Sequence, residues 1–507
     1  MKHKLFLLIL GGGLCISSPA KSATFTVSTS AELQSALTTA QSNGEDDSIT
    51  LNTGTYTTTG TAFTYNATAG ENYSITLNGN ESNNVVLDGD HNNSVINFDL
   101  SNVLSKTKAD VILQNLTFQN ANGNGLYILQ ASNVTISHGI FSGNTGAVSG
   151  GALYGSIFNG TVLVTDSLFT SNSALQGSVI YFLNTQGIIN LINNTFTNNS
   201  SPAPFLSPPV YLVSNQDTAV TNFYNNIAYN NHVGLDLYVS DDGDSSGTGS
   251  IVNLYNNLYE AFSTYCLDHT GSCTPNVTQN ANLPGENPLF ISDSNFQLEY
   301  NSPCIDTGLL SAPSLPDTDL IGNPRSIQNS VDMGAYQSIP TLATSASISD
   351  FGNVTVNSSS SSILTFSNSG NHSLSISEIS LSNNSFSLDV NAGSSPCTST
   401  TPNIPAGNNC TAALIFSPTS EGSQTATVTV TSDDPNNASS TLNFTGTGIS
   451  DSGGGGDEGS GSNSSTGCAL SFNVQNSFSE IILIFSGMIT MISLRRKKFS
   501  LFSKEQK

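Results

Sequence analysis

The sequence predicts an all-β protein in which a right-handed parallel β-helix is followed by an Ig-like β-sandwich. The chain has 507 residues, of which 37% are hydrophobic and only 9% are charged, whereas soluble domains have about 25% charged residues. Its polar residues are mainly Ser, Thr, Asn and Gly, which suit turns and solvent-facing strands, and Asn and Gly disfavour helices. Short alternating strands recur every 23–32 residues in the first part of the chain, and turn signals become denser after residue 348.

The charge distribution limits the classes of partner. The formal net charge is −24, and the basic residues between residues 23 and 494 are Lys106, Lys108 and Arg325. Such a surface repels phosphate backbones, so we expect no nucleic-acid partner. Anionic lipid is disfavoured for the same reason, except at the basic C-terminal end.

Residues 1–22 have the pattern of a secretory signal peptide. Lys2 and Lys4 form a charged region, an apolar run covers residues 5–14, and Ala20-Lys21-Ser22 fits a cleavage site. Cleavage after Ala20 or Ala23 fits nearly as well. We therefore expect export through the secretory pathway, to the cell surface, the outer membrane or the medium.

A helix is predicted over about residues 30–41. Thr29 and Glu32 have the spacing of a capping box, and small or apolar residues recur on one face of the following turns. This stretch resembles the N-terminal entry of right-handed parallel β-helices, in which a helix covers the open end of the coil. A partner-binding helix is the alternative.

Aromatic residues mark successive coils of the β-helix, which is predicted to span residues 23–338. The aligned positions are Phe118, Phe141, Phe169, Phe196, Ala228 and Tyr259. A coil of three short strands and their turns needs about this many residues. Asn residues repeat at turn positions, where they can stack into hydrogen-bonded ladders.

Short motifs in these coils resemble those of polymorphic outer-membrane proteins. The matches are Phe141-x-x-Asn144, Phe169-x-x-Asn172, Phe196-x-x-Asn199 and Gly150-Gly-Ala-Leu153. A longer series of motifs resembles the choice-of-anchor Q domain over about residues 110–337. It includes Asn287-Pro-Leu-Phe290, Asn301-Ser-Pro-Cys-Ile-Asp-Thr-Gly308, Asp319-Leu-Ile-Gly-Asn-Pro-Arg325 and Val331-Asp-Met-Gly-Ala-Tyr336. The resemblance implies a bacterial surface protein and no assigned reaction.

Asp306, Arg325 and Asp332 form the obvious polar cluster of this series. Arg325 is the single Arg before the basic tail, and a guanidinium pairs readily with carboxylates. We expect Arg325 to pair with one or both acids as a structural lock on the last coils. A binding site is the alternative.

Residues 339–448 are predicted to form the Ig-like domain, because several short strand patterns fall within about 100 residues. Motifs including Phe351-Gly352 and Gly446-Thr-Gly448 resemble the choice-of-anchor D domain, which is related to the ASH/Hydin modules. The resemblance implies a spacer or an adhesive repeat.

The cysteines of an exported chain invite disulfides. Cys397 and Cys410 would close a loop within the sandwich, and Cys266 and Cys273 would fix a turn beside the coil. Cys304 is predicted to be a buried thiol. Since no CxxC or His/Cys spacing occurs, zinc is unsupported.

Asp241, Asp242 and Asp244 lie in a loop rich in Gly and Ser. This loop is either a solvated turn or a Ca²⁺-holding loop, because carboxylate oxygens suit calcium. We expect no other cofactor.

The C-terminal region is predicted to anchor the protein. A Gly/Ser linker at 449–467 precedes Cys468, an apolar run at 481–494 and a basic cluster at 495–498. The segment 468–507 resembles bacterial sorting signals of the GlyGly-CTERM, MYXO-CTERM and JDVT-CTERM types, most closely the last. The resemblance implies that a processing protease removes the helix and that Cys468 becomes the attachment point. A permanent membrane anchor, oriented by the basic cluster, is the alternative.

These features favour an adhesin or a structural or carbohydrate-binding protein of the cell surface. The rival hypothesis is an enzyme that degrades polysaccharides, either a neutral-glycan hydrolase or a cation-dependent lyase, because many β-helices are lyases or hydrolases. A lyase acting on acidic polymers needs a basic residue among carboxylates, which three cations hardly provide. A hydrolase acting on neutral glycans needs only two acids.

Overall fold

The computed structural model describes residues 22–451, except 81–83, 105–106, 158, 185–186, 203–206, 215–218, 232–235, 242–249 and 267–275. It confirms the predicted fold class, a parallel β-helix of about eight turns followed by an Ig-type domain. The predicted leader and C-terminal anchor lie outside these residues, as does the predicted linker from residue 452 onward, although Ser22 and Ile449 each belong to a strand. No helix in the described part of the chain is long and apolar enough to cross a membrane.

Helix α1 (Ser30–Ala40) closes the N-terminal end of the coil, as its pattern predicts. The Thr29 side chain accepts a hydrogen bond from the backbone N–H of Glu32, and the Glu32 carboxylate accepts one from Ser28. Its apolar face packs on the first strands of the β-helix. The residues buried on this face are Leu33, Ala36, Leu37 and Ala40.

Successive coils each add one strand to three parallel sheets. The strands in chain order are β1 Ser22–Val27, β2 Asp46–Leu51, β3 Gly54–Thr57, β4 Phe63–Asn66, β5 Ile75–Gly79, β6 Val85–Asp88, β7 Ile96–Asp99, β8 Val111–Gln114, β9 Thr117–Gln119, β10 Leu126–Ala131, β11 Val134–Ser137, β12 Ile140–Ser142, β13 Leu153–Ile157, β14 Thr161–Thr165, β15 Leu168–Thr170, β16 Ile180–Asn184, β17 Ile188–Ile192, β18 Thr195–Thr197, β19 Val210–Ser214, β20 Val220–Tyr224, β21 Ile227–Tyr229, β22 Leu237–Asp241, β23 Ile251–Tyr255, β24 Leu258–Tyr259, β25 Phe262–Cys266, β26 Asn276–Asn280 and β27 Leu283–Pro284. Sheet A is β1-β2-β5-β8-β11-β14-β17-β20-β23-β26, sheet B is β3-β6-β9-β12-β15-β18-β21-β24-β27, and sheet C is β4-β7-β10-β13-β16-β19-β22-β25.

The predicted register of the aromatic residues is confirmed in sheet B. Phe118, Phe141, Phe169 and Phe196 pair in successive strands and point into the coil. Their rings stack with centroids 4.7–4.9 Å apart. Because each ring is fully buried, each contributes about 1.5–3 kcal/mol to the free energy of unfolding through the hydrophobic effect.

Buried asparagines form two ladders along the coil, as the repeated turn positions suggested. At the turn from sheet B to sheet C, each Asn side chain donates to the amide oxygen of the next Asn at 3.0–3.1 Å. This ladder contains Asn144, Asn172, Asn199 and Asn231. At the turn from sheet A to sheet B a second ladder contains Asn194, Asn226, Asn257 and Asn282.

Residues 285–338, here called the C-terminal arm, fold back over the outer face of sheet B. The arm begins with a hairpin of β28 (Phe290–Ser292) and β29 (Asn295–Leu298). Leu320 and Ala335 pack with Leu168 of sheet B in one apolar cluster. In a second cluster, other arm residues pack on two later strands of the sheet. The members of the second cluster include Ile227, Leu258, Leu298, Cys304 and Met333.

The Ig-type domain consists of two packed sheets. Its strands are β30 Leu342–Ala346, β31 Asp350–Thr355, β32 Ser360–Asn368, β33 Leu374–Leu381, β34 Phe386–Asp389, β35 Asn403–Ile404, β36 Asn409–Phe416, β37 Gly422–Ser432 and β38 Ser439–Ile449. The sheet orders are β30-β32-β36-β34 and β31-β38-β37-β33-β35. The disulfide between Cys397 and Cys410 is present.

Candidate functional site

The turn from sheet A to sheet B places one residue with positive φ in each successive coil. These residues are Asn115, His138, Asp166, Asn193, Asn225 and Asn256, with φ between 46° and 57°. Asn and Asp tolerate this left-handed region better than other non-glycine residues, because their short polar side chains bond locally. The turns therefore present a column of polar side chains beside sheet B, in which Asp166, Asn193 and Asn225 are buried.

The C-terminal arm binds this column of turns. Asn193 donates to the carbonyl of Asp332 at 2.8 Å, and Asn256 donates to the carbonyl of Thr307 at 2.8 Å. The amide oxygen of Asn225 accepts from Leu309 N–H at 2.6 Å. His138 Nε2 lies 3.3 Å from the Thr318 carbonyl oxygen. With Asp166, described next, the arm is thus held by side chains from five successive turns.

Arg325 pairs with Asp166, so the expectation that it pairs with Asp306 or Asp332 is wrong. Its guanidinium Nη2 bonds the Asp166 carboxylate and the Ala335 carbonyl, and both side chains are buried. Burial raises the pKa of Asp166 to about 7, against the lowering effect of the neighbouring cation. Arg325 reaches a turn 159 residues away rather than an acid of its own arm, which ties the arm to the middle of the coil.

The two other acids of the predicted cluster have different partners. Asp332 is buried and accepts backbone N–H bonds from Asp306 at 2.8 Å and Ser338 at 2.6 Å. Its burial raises its pKa to about 6. Asp306 instead lies 3.1 Å from the His372 ring of the Ig-type domain. This contact lowers the pKa of Asp306 and raises that of His372.

Several predicted sites fall outside the described residues. The acidic loop is described only at the backbone of Asp241, the last residue of β22, and Asp242 and Asp244 lie outside. The same holds for Cys273, for the side chain of Cys266 and for Cys468. Where side chains are described, no group of three His, Cys, Asp or Glu residues is placed to hold a metal ion. Cys304 is a buried free thiol, and burial raises its pKa to about 12.

The outer face of sheet C carries a column of tyrosines whose rings are stacked, except that the last pair is tilted by 41°. Adjacent rings lie 4.8–5.6 Å apart, and every ring is partly exposed. We call these residues the tyrosine column. Its members are Tyr127, Tyr154, Tyr181, Tyr211 and Tyr238. Because each ring face inside the column covers its neighbour, the edges of the rings form the outer surface.

The sequence signal for this column is the spacing of its tyrosines. Tyr recurs at intervals of 27 to 30 residues within the strands of sheet C. The phenylalanines of sheet B repeat at similar intervals and belong to the core. In sheet C, the tyrosines lie at the alternate positions of their strands, which point away from the core.

Two cavities flank the hairpin at the start of the C-terminal arm. One has a volume of about 560 Å³ and lies between the arm and the Ig-type domain. The other has a volume of about 360 Å³, and Asp293 and Glu299 lie on its wall. Glu299 borders both cavities.

Other buried acids serve the interior. Asp236 is 1% exposed, accepts from Asn231 at 3.0 Å and from Glu260 N–H at 2.6 Å, and burial raises its pKa to about 7. Asp47 lies 3% exposed near α1, accepts from Asn43 at 2.7 Å, and has its pKa raised to about 6 by burial. Asp236 thereby extends the asparagine ladder that ends at Asn231.

The fold and these surfaces define a β-solenoid with an Ig-type domain, an architecture that fits a surface or structural protein. Residues 339–440 match the family model of ASH (Abnormal spindle-like microcephaly-assoc'd, ASPM-SPD-2-Hydin), so the Ig-type domain is of the ASH class. A similar solved structure is the ASH/PapD-like domain of human CEP192, PapD-like domain 7, at 15% identity and a TM-score of 0.15. That match covers 21% of this chain and 84% of the other. Comparison with curated proteins gave no match.

Proposed function

We propose that this protein is an exported, surface-anchored adhesin or cell-surface structural protein that binds carbohydrate along sheet C. The tyrosine column carries the proposal. A row of partly exposed aromatic rings and hydroxyl groups repeats with every coil, as the units of an extended polymer repeat. Tyr combines an apolar body with a polar tip, which suits ligands that have both apolar faces and hydroxyl groups.

The low charge of the chain supports a neutral ligand. Lys108 and Arg325 are the Lys and Arg side chains in the described residues, and Arg325 is buried in its pair with Asp166. An acidic polymer would therefore meet an acidic surface without compensating cations. Neutral polysaccharides avoid this repulsion.

Binding to immobilised dextran, mannan and β-glucan tests the proposal on the full-length protein. The variant Tyr154→Ser with Tyr181→Ser should weaken binding to the preferred polymer about tenfold or more, since two adjacent units of the column are lost. The matched control is Tyr224→Ser with Tyr255→Ser, which removes a stacked pair on sheet A with centroids 5.2 Å apart. Equal losses in both variants, or no binding by the wild type, would contradict the proposal.

Export and anchoring are part of the same proposal. The leader, the apolar run at 481–494 and the resemblance to choice-of-anchor Q domains support it. Since Ser22 pairs with Asp46 as the first residue of β1, cleavage after Ala20 preserves this strand better than cleavage after Ser22. Intact mass of the mature protein tests both ends, and retention of residues 481–507 would exclude processing at Cys468.

A glycan hydrolase is the second candidate, and the cavity bordered by Asp293 and Glu299 favours it. Two carboxyl groups suffice for hydrolysis of a neutral glycan. The test is release of reducing sugar from the same polysaccharides. If the wild type releases reducing sugar and Glu299→Gln does not, the protein is a hydrolase that uses Glu299. If Glu299→Gln releases reducing sugar as fast as the wild type, Asp293 and Glu299 are not the catalytic pair.

A further inference from the structure

The cavity between the C-terminal arm and the Ig-type domain has the size and wall chemistry of a small-molecule site. Its volume of about 560 Å³ falls within the range of about 300–1,000 Å³ typical of ligand pockets. Both domains contribute to the wall, Tyr300 and Ile321 from the arm and Asn371 from the Ig-type domain.

Exposed apolar side chains line one part of this cavity. Tyr300 is 68% exposed and Ile321 is 41% exposed, although large apolar side chains are usually covered in a folded protein. An aromatic ring that is held open at a cavity wall offers a flat surface to an apolar face of a ligand.

A buried donor without a partner lies in the same wall. Gln337 is 3% exposed, and its amide oxygen accepts from Asp332 N–H at 3.0 Å. Within the described residues its Nε2 has no hydrogen-bond partner. A buried donor left unpaired costs about 1–3 kcal/mol, so an acceptor oxygen entering the cavity to this depth would be favoured.

The charge of the wall selects the ligand class. Glu299 is the charged residue among those that line the cavity, and the remaining polar groups are amides and hydroxyls. A carboxylate and amides accept and donate hydrogen bonds to hydroxyl groups, whereas an anionic ligand would be repelled.

We propose that this cavity binds a neutral mono- or disaccharide, with Tyr300 stacking on the sugar ring, and Glu299 and Gln337 bonding its hydroxyl groups. The choice of a sugar rests on the carbohydrate role proposed above, whereas the position of the site rests on the cavity itself. The cavity lies beside the arm and not on sheet C, so it would hold a short end or branch of a glycan separately from the tyrosine column.

Titration calorimetry of the full-length protein with glucose, galactose, N-acetylglucosamine, maltose and cellobiose tests the site. We expect one of these sugars to bind, and Tyr300→Ala to weaken its binding about tenfold. Since Tyr300 is exposed, this variant should fold normally. Tyr154→Ser, in the tyrosine column, is the matched control and should bind the small sugar unchanged. Glucuronic acid should bind more weakly than glucose.

The outcomes separate the two proposals. Loss of small-sugar binding in Tyr154→Ser, with none in Tyr300→Ala, would overturn the cavity site and leave the tyrosine column in place. Failure of the wild type to bind any of the five sugars would also overturn the cavity site. Binding to immobilised polysaccharide tests the tyrosine column independently. Ile321→Asp provides a second variant, since an added carboxylate in the wall should lower the affinity for the neutral sugar and leave polysaccharide binding unchanged.

Discussion

Sheets B and C belong to the same coils, yet their outer faces differ in exposure. The outer face of sheet B is covered by the C-terminal arm, which buries residues such as Leu168, Ile227 and Leu258. The outer face of sheet C leaves its tyrosines partly exposed along five strands. The difference arises beside the sheets, because the turns next to sheet B carry the polar residues that hold the arm.

This contrast separates a structural face from a candidate binding face. The arm satisfies the polar groups of the turns and closes the apolar surface that sheet B would otherwise expose. Exposed apolar patches of that kind favour association between molecules. The tyrosine column is the long aromatic surface that the arm leaves open in the described part of the chain.

Arg325→Met should produce the largest effect, because it removes the ion pair beneath the arm. An uncompensated carboxylate would remain buried at Asp166, so the free energy of unfolding should fall by about 3–5 kcal/mol. Urea unfolding followed by far-UV circular dichroism measures this. Lys108→Met, at an exposed cation, is the control and should change stability little.

A double variant sharpens the test of the same pair. Asp166→Asn combined with Arg325→Met removes both charges, and Asn suits the positive φ of 46° at residue 166. We expect it to be more stable than Arg325→Met alone, since it leaves no uncompensated carboxylate buried at residue 166. A double variant no more stable than the single one would contradict a charge-based lock.

Asn172→Ala should have the next largest effect, because its ladder lies at the turn that joins sheet B to sheet C. Asn172 accepts from Asn144 at 3.0 Å, donates to Asn199 at 3.1 Å and donates to the Phe141 carbonyl at 2.9 Å. Leaving these buried groups unpaired should cost about 2–4 kcal/mol. Thermal unfolding measures this.

The control for this variant is Asn222→Ala. Asn222 lies in a third row of bonded asparagines, on the outer face of sheet A. Its bonds to Asn190 and Asn253 are each 2.8 Å long and lie in partly exposed positions. Water can replace them, so the loss should be below about 1 kcal/mol. Equal losses of stability at both positions would show that burial does not determine how much a ladder contributes to the free energy of unfolding.

The pH should have a smaller effect on the free energy of unfolding, through buried acids in and beneath the C-terminal arm. The pKa of Asp166 is raised to about 7 and that of Asp332 to about 6, so the folded state holds these protons more tightly than the unfolded state. Stability from these groups is complete below about pH 4 and is lost as pH rises towards 7. The pKa of His372 is raised, so its contribution to stability is also lost as pH rises above its ordinary pKa. The pKa of His138 is lowered, so its contribution to stability increases with pH and opposes this trend.

The protein should therefore unfold at a lower urea concentration at pH 8 than at pH 5. Asp332→Asn should reduce this difference, and Asp389→Asn, at an exposed position of the Ig-type domain, should leave it unchanged. Greater stability at pH 8 in the wild type would contradict the assignment of these buried acids.

The sequence predicts the coil well, because each strand and turn of the repeat depends on nearby residues. The phenylalanine register, the asparagine ladders and the capping helix all follow from local patterns of this kind. The binding of the arm does not, since Asn193 and Asp166 would serve as turn residues whether or not an arm lay beside them. Asp306 and Asp332 lie near Arg325 in the sequence, whereas its partner is 159 residues away.

Hydroxyl-radical footprinting of the full-length protein, with and without its preferred neutral polysaccharide, tests the central contrast most directly. Oxidation of Tyr127 and Tyr154 on sheet C should fall when the polymer binds. Tyr336, which packs against the arm-covered sheet, should be unaffected. Protection confined to Tyr336, with the tyrosine column oxidised as in the free protein, would contradict the assignment of sheet C as the binding face.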